Sequence, residues 1–243
     1  MYEKGDGVTR DYAEALRLYE AAANQRSPGA AGNLARMYLN GLGVERNEKE
    51  ALRLVRISAD QGYPDGQVLL AIMYRRGIGT EQNLDEAVRL NRLAAEHGDA
   101  RGQTALGFMY YDGNGVPQNA ELAAHWFRLA AEQGYKFAET KLGDMYMNGR
   151  GVSSNDQEAV RWFRLAADQG DARAQVGPGY MYVTGRGIAR DYVQACMWFL
   201  LAAEQDDPEG IKDLPQCMKI STPEEISRSK TMADKWKKNH QHR

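Results

Sequence analysis

Cysteine is nearly absent from this chain: two among 243 residues, Cys196 and Cys217. Two cannot build the disulfide framework of a small secreted domain, and their spacing is not that of a zinc-ligand pair. They read as free core thiols, with a single bridge as the alternative. No apolar run approaches the roughly 18 residues of a membrane span, and the start of the chain lacks the charged-then-apolar layout of a signal peptide. As written, the sequence reads as soluble, and its compartment is not legible. An excess of one charge is missing too, since 31 Lys and Arg against 33 Asp and Glu leave a formal net charge of −2. A general nucleic-acid binder needs a basic surface to meet phosphates, so no nucleic acid is expected as a partner. Only the end of the chain, from Lys235 onward, is basic, and it reads as solvated charge.

The motifs of catalysis are equally scarce. No HExxH is present, His97 and His125 stand far apart, and His240 with His242 near the end make a weak chelate, so no metal is expected. The Gly-x-Gly pairs lack the lysine of a phosphate loop and follow helix-like runs instead of strands, so no nucleotide cofactor is expected. Ser153 and Ser154 have no histidine in phase for a triad. The sequence reads as that of a non-enzyme without cofactors.

What it does have is a period. Met-Tyr occurs at Met1, Met37, Met73, Met109, Met145 and Met181, always 36 residues apart, and glycine pairs such as Gly41/Gly43, Gly149/Gly151 and Gly185/Gly187 keep the same step. Internal periodicity outranks residue-level signals in reading a fold. Within one period Ala138, Leu142, Met145 and Tyr146 fall on one face of a helix. The glycine pair then suits a helix end that needs positive φ. A second helix opens on Asp11, Asn47, Asn83, Asn119, Asn155 or Asp191, with Glu or Gln three residues on in five of the six copies, Leu122 excepted, as in a capping box. Its apolar stripe is Ala159, Trp162, Phe163 and Ala166, and the series Trp126, Trp162, Trp198 reads as core. Such a pair of short helices cannot bury its own apolar face, so copies must stack.

The pattern A-x-x-x-L-G-x-M-Y, G-x-G-V, D/N-x-x-E-A, A-A-x-Q-G resembles the Sel-1-like repeat, a relative of the tetratricopeptide repeat. The resemblance implies an all-α fold: a right-handed α-solenoid of stacked antiparallel helix pairs with a C-terminal capping helix. On this reading residues 1–210 hold six units, the first incomplete, and residues 211–243 a degenerate seventh unit and the cap. It also implies a bacterial adaptor or scaffold, in cytoplasm or periplasm, that binds a protein or peptide. The alternative implied by one branch of the family is a cell-wall or β-lactam-interacting protein, penicillin-binding or β-lactamase-like. The per-repeat cysteine pairs of that branch are absent.

Departures from the pattern carry further expectations. The first unit lacks its first helix, leaving Leu18 and Tyr19 to face solvent. A trimmed start is one reading, and an end-to-end dimer through this uncapped unit is the other. Asn91 stands where other units carry an apolar side chain and marks a soft spot. Pro178 stands where others carry leucine, flanked by Gly177 and Gly179, so its helix is expected to kink or start late. Thr222-Pro223-Glu224-Glu225 opens the cap helix. The first helices are expected to line a concave groove, where positions between the buried ones are free to encode a partner. The candidate protein-binding residues are Arg36 and Asn40, then Ile72 and Arg76, then Phe108, Tyr111 and Asp112, then Asp144 and Asn148, and finally Tyr180. Val68, Thr104 and Val176 are assigned to the same strip, and Ile72, Phe108, Tyr111 and Tyr180 to a continuous apolar patch.

Overall fold

The structure, a computed structural model, describes residues 2–3 and 5–240; Met1 of the first Met-Tyr pair and His242 of the basic end lie outside these. Among the described residues there are thirteen helices and no strand. α1 (Tyr12–Asn24) is the lone second helix of the first repeat. It is followed by the pairs α2 (Pro28–Asn40) and α3 (Glu48–Asp60), α4 (Pro64–Arg76) and α5 (Leu84–Glu96), α6 (Ala100–Asp112) and α7 (Ala120–Glu132), α8 (Lys136–Asn148) and α9 (Asp156–Ala167), and α10 (Ala172–Thr184) and α11 (Tyr192–Ala203). The last two helices are α12 (Pro208–Ile220) and α13 (Pro223–His240). Two compact units result, Met1–Gln118 and Asn119–Arg243, each a series of helices packed on their chain neighbours.

The repeated residues explain the pairing. In the second to fifth copies the Met side chain and the first-helix leucine are buried, as Met37 and Leu34 are in one unit and Met145 and Leu142 in the other. The neighbouring tyrosine has a different task. Arg56 donates to the Tyr74 hydroxyl at 3.1 Å, Arg92 to Tyr110 at 3.1 Å and Arg128 to Tyr146 at 2.8 Å, each joining a second helix to the first helix that follows it. The turn glycines divide their roles too. Gly149 ends α8 in the left-handed region at φ 64°, and a side chain on Gly151 would run into the Ala120 carbonyl at the start of α7. Backbone therefore packs directly on the preceding repeat.

The capping box forms only by half. The Asx side chain accepts from the N–H three residues on, as Asn47 does from Glu50 and Asn155 from Glu158. The cap residue's own N–H goes elsewhere, however: Asn47 donates to the Tyr38 carbonyl and Asn155 to the Tyr146 carbonyl. With that donor taken, the glutamate turns outward to an arginine one turn on, giving the pairs Glu50–Arg53, Glu86–Arg89 and Glu158–Arg161. Exposed pairs of this kind contribute only a few tenths of a kcal/mol, about 0.3–0.5. A full reciprocal box does form at the cap helix, where Thr222 N–H donates to Glu225 Oε2 at 2.7 Å and Glu225 N–H returns to Thr222 Oγ1 at 3.3 Å.

Three expectations are corrected. The cysteines are not free: Cys196 and Cys217 form a disulfide joining α11 to α12. They occupy the places that Val160 and Met181 hold one repeat earlier, and those two share one apolar cluster. α10 does not start late. Asp171 caps it in phase with the other first helices, and Pro178 is buried inside it. The flanking glycines serve the neighbouring rings, since a Cβ on Gly177 would lie 2.6 Å from Phe163 and one on Gly179 2.7 Å from Phe199. Finally, the tryptophan series is only partly core. Trp162 and Trp198 are buried, while Trp126 is half-buried beside His125.

At the two ends, Leu18 of α1 is exposed, whereas Tyr19 is half-buried and donates to Glu3 at 2.8 Å. α13 lays Met232, Ala233 and Trp236 on α11, where Trp236 meets Trp198 edge-on at 6.0 Å. Asn91 is buried, with its Oδ1 unpaired and its Nδ2 facing only the Met109 sulfur at 3.4 Å, and a buried acceptor without a donor costs free energy.

Candidate functional site

In the unit Met1–Gln118 the predicted residues divide by exposure. Arg36 is half-buried on α2, donates to Asn33 at 3.2 Å and stands 3.9 Å from Asp65 of α4. Asp65 also pairs with Arg101 of α6, which holds Asp99 at 2.8 Å, so a chain of alternating charge crosses the three first helices. Asn40 is spent on its own helix, donating to the Arg36 carbonyl at 2.9 Å. Ile72, Phe108 and Tyr111 are half-buried, and Arg76 and Asp112 are exposed. Val68 and Thr104, assigned to the same strip, are buried; so is Val176 in the other unit.

In the unit Asn119–Arg243 two predicted residues meet. Asp144 of α8 and Tyr180 of α10 line one cavity of about 360 Å3, together with Arg173 and with Glu209, Lys212 and Asp213 of α12. Its floor is the Phe163 ring, reachable because residue 177 is glycine where the preceding repeat has Lys141. Burial lifts the Asp144 carboxyl above the ordinary carboxylate range, and Lys141, 3.5 Å away, pulls it back. Asn148 is again spent locally, on the Asp144 carbonyl at 2.8 Å. A second hollow of about 300 Å3, mostly apolar, lies beside the first and is lined by Val183, Phe199, Cys217 and Ile220. Tyr180, 44% exposed, and Asp213 belong to both hollows. One rim is tied down by Arg186, which donates to Asp156 at 2.6 Å and to the Met147 carbonyl at 2.8 Å.

The contribution of α12 escaped the sequence reading, which divided this helix between the solenoid of residues 1–210 and a degenerate seventh unit and gave it no site residue. The signal was available in the period: Glu209 and Lys212 are 36 residues after Arg173 and Val176, on the face that the other first helices present. The chemistry on offer is recognition. An apolar hollow adjoins a polar one carrying three carboxylates and two cations, and among the described residues no three His, Cys, Asp or Glu side chains gather as metal ligands would.

The Sel1 repeat model matches residues 1–27, 28–63, 64–99, 100–135, 136–171 and 171–207, a break at every first helix. The chain belongs to the Sel1 repeat family. A Sel1 repeat protein from Oxalobacter formigenes is 29% identical, with 93% of this chain and 97% of that one covered and a TM-score of 0.76. A Sel1 repeat protein from Klebsiella pneumoniae is 20% identical over 83% of this chain and 98% of the other, with a TM-score of 0.55. Immunity protein Pa5087 from Pseudomonas aeruginosa is 22% identical over 85% and 81%, with a TM-score of 0.58. The last two share the fold alone. No curated protein matches the sequence. Sel1 repeats generally serve as protein-interaction modules without catalysis of their own. No helix among the described residues is long and apolar enough to cross a membrane.

Proposed function

We propose that this Sel1 repeat protein is a non-catalytic adaptor that takes a segment of another protein along its first helices, with the α8–α10–α12 surface as the principal contact. The observation that carries the reading is the meeting of Asp144 and Tyr180 in one cavity, beside an apolar hollow that shares Tyr180. Exposed aromatic side chains beside an apolar hollow are the usual anchors of an interface. Arg76, Phe108, Tyr111 and Asp112 of the other unit are a separate candidate surface. The test is a displayed peptide library selected on the purified chain. Tyr180→Ala with Asp144→Asn should weaken the selected segments at least roughly tenfold, a decade being about 1.4 kcal/mol, with the circular dichroism spectrum unchanged. Phe108→Ala with Arg76→Ala should weaken them less. Full affinity in both variants, with loss on changing the second helices, would overturn the reading.

A further inference from the structure

One cavity lies away from the first helices. About 580 Å3 in volume, it is open to solvent and lined by the carboxyl ends of three helices: Asp168, Gln169 and Gly170 follow α9, Glu204 and Gln205 follow α11, and Trp236, Lys237 and His240 belong to the end of α13. Each helix brings the negative end of its dipole to the same space, equivalent to about half an elementary charge apiece.

The polar groups on the wall are mostly acceptors, the exceptions being the Lys237 ammonium and the Trp236 indole N–H, which is buried and unpaired among the described residues. Gln169 uses its nitrogen inward, on the Gly134 carbonyl at 3.1 Å and Glu139 at 2.7 Å. Gln205 does the same, on Gln175 at 3.1 Å and the Leu201 carbonyl at 3.2 Å. Both amide oxygens are left without a donor among the described residues. His240 sets its Nδ1 against the Trp236 carbonyl at 2.8 Å, and a carbonyl can only accept. Its Nδ1 is therefore the donor, and in the neutral ring Nε2 remains an acceptor. Asp168 makes no ion pair among the described residues. Lys237 supplies the charged donors, and these are engaged by Glu204 and Asp234, both at 2.9 Å. The apolar lining is Leu201 and the Trp236 indole, one face of which is stacked on His240 at a centroid distance of 4.0 Å.

We infer that this cavity is a binding site for an arginine side chain carried by a partner peptide. A guanidinium is planar, bears five donors and no acceptor, stacks on aromatic faces and is weakly hydrated, so it complements an acceptor-lined, negatively polarised pocket with an indole wall. The volume admits the side chain together with the backbone that bears it. The inference is independent of the first-helix surface, and either can fail without the other.

The test titrates the full chain with N-acetyl-arginine methylamide while following the indole N–H resonance of Trp236, assigned with Trp236→Phe. The neutral isostere, N-acetyl-citrulline methylamide, is the control. The Trp236 resonance should move saturably, and citrulline should bind about fivefold more weakly or worse, the size of one cation–π contact. Asp168→Asn, an exposed change that leaves the packing intact, should weaken arginine about threefold, and added salt should do the same. No saturable shift, equal binding of citrulline, or an unaltered Asp168→Asn would each overturn the inference.

Discussion

Glu139 departs from its repeats in being ionisable. Reading the column by steps of 36 gives Gln67, Gln103, Glu139 and Gln175, all buried. Only one of the four can carry charge. Burial pushes the Glu139 carboxyl up to about 7 although Gln169 donates to it at 2.7 Å. A carboxyl that holds its proton more tightly in the folded chain stabilises it fully below the ordinary value of 4.5, and the benefit is lost as pH rises through about 7. Glu139→Gln should therefore remove this dependence, making the chain more stable than the parent at pH 8 by about 1–3 kcal/mol and nearly equal to it at pH 4.5. Denaturant unfolding at the two pH values checks this, and parallel curves would refute it. The column was legible in the sequence, but its burial was not, because alternation of amides and acids on a helix reads as a solvated face. Asn91 was legible for the opposite reason, as a polar residue in an apolar column. The repeat junctions show the same contrast: Gly62, Gly98, Gly134 and Gly170 adopt positive φ, and Arg26 and Asp206 hold that conformation at the two ends with a Cβ in place.

Among the elements, α10 tests how far one helix can depart from its copies. Its cap, length and ending match the other first helices, so the late start expected from Pro178 does not occur. The proline still removes one backbone donor from the helix interior. Pro178→Leu should raise the melting temperature, by an amount corresponding to about 1–3 kcal/mol, since leucine is fully buried at Leu106 and Leu142. An unchanged or lower value would mean that the surroundings have shaped themselves to the ring. Gly177 and Gly179 could be seen in the sequence but not understood there. Their purpose lies in the Phe163 and Phe199 rings of two other helices, and the hollow above Phe163 follows from it. The starts of the second helices were legible to the residue because an Asx oxygen on a free N–H is a local interaction. The partner of the cap's own N–H was not, since it lies across the glycine turn.

Across the whole chain the serial order of helix pairs was legible from the 36-residue step, with the cap helix at its end, because each pair's core positions recur in phase. The bridge was read only as the alternative to free thiols, although the same step points to it: Cys196 and Cys217 map onto Val160 and Met181, which share one apolar cluster. Cys196→Val with Cys217→Met should restore that packing and remove only the cross-link, lowering stability by about 2–4 kcal/mol. Calorimetry on the oxidised parent, the reduced parent and the double variant checks it, and equal transitions in all three would refute it. The bond has a consequence for the recognition surface. α12 supplies Glu209, Lys212 and Asp213 to the cavity that Tyr180 and Asp144 line, and the same helix is fastened to α11 through Cys217. One wall of the candidate site is thus latched by sulfur chemistry while the other is held by helix packing. Two preparations with the same sequence, one grown in a reducing medium and one exposed to air, are different reagents in any binding assay.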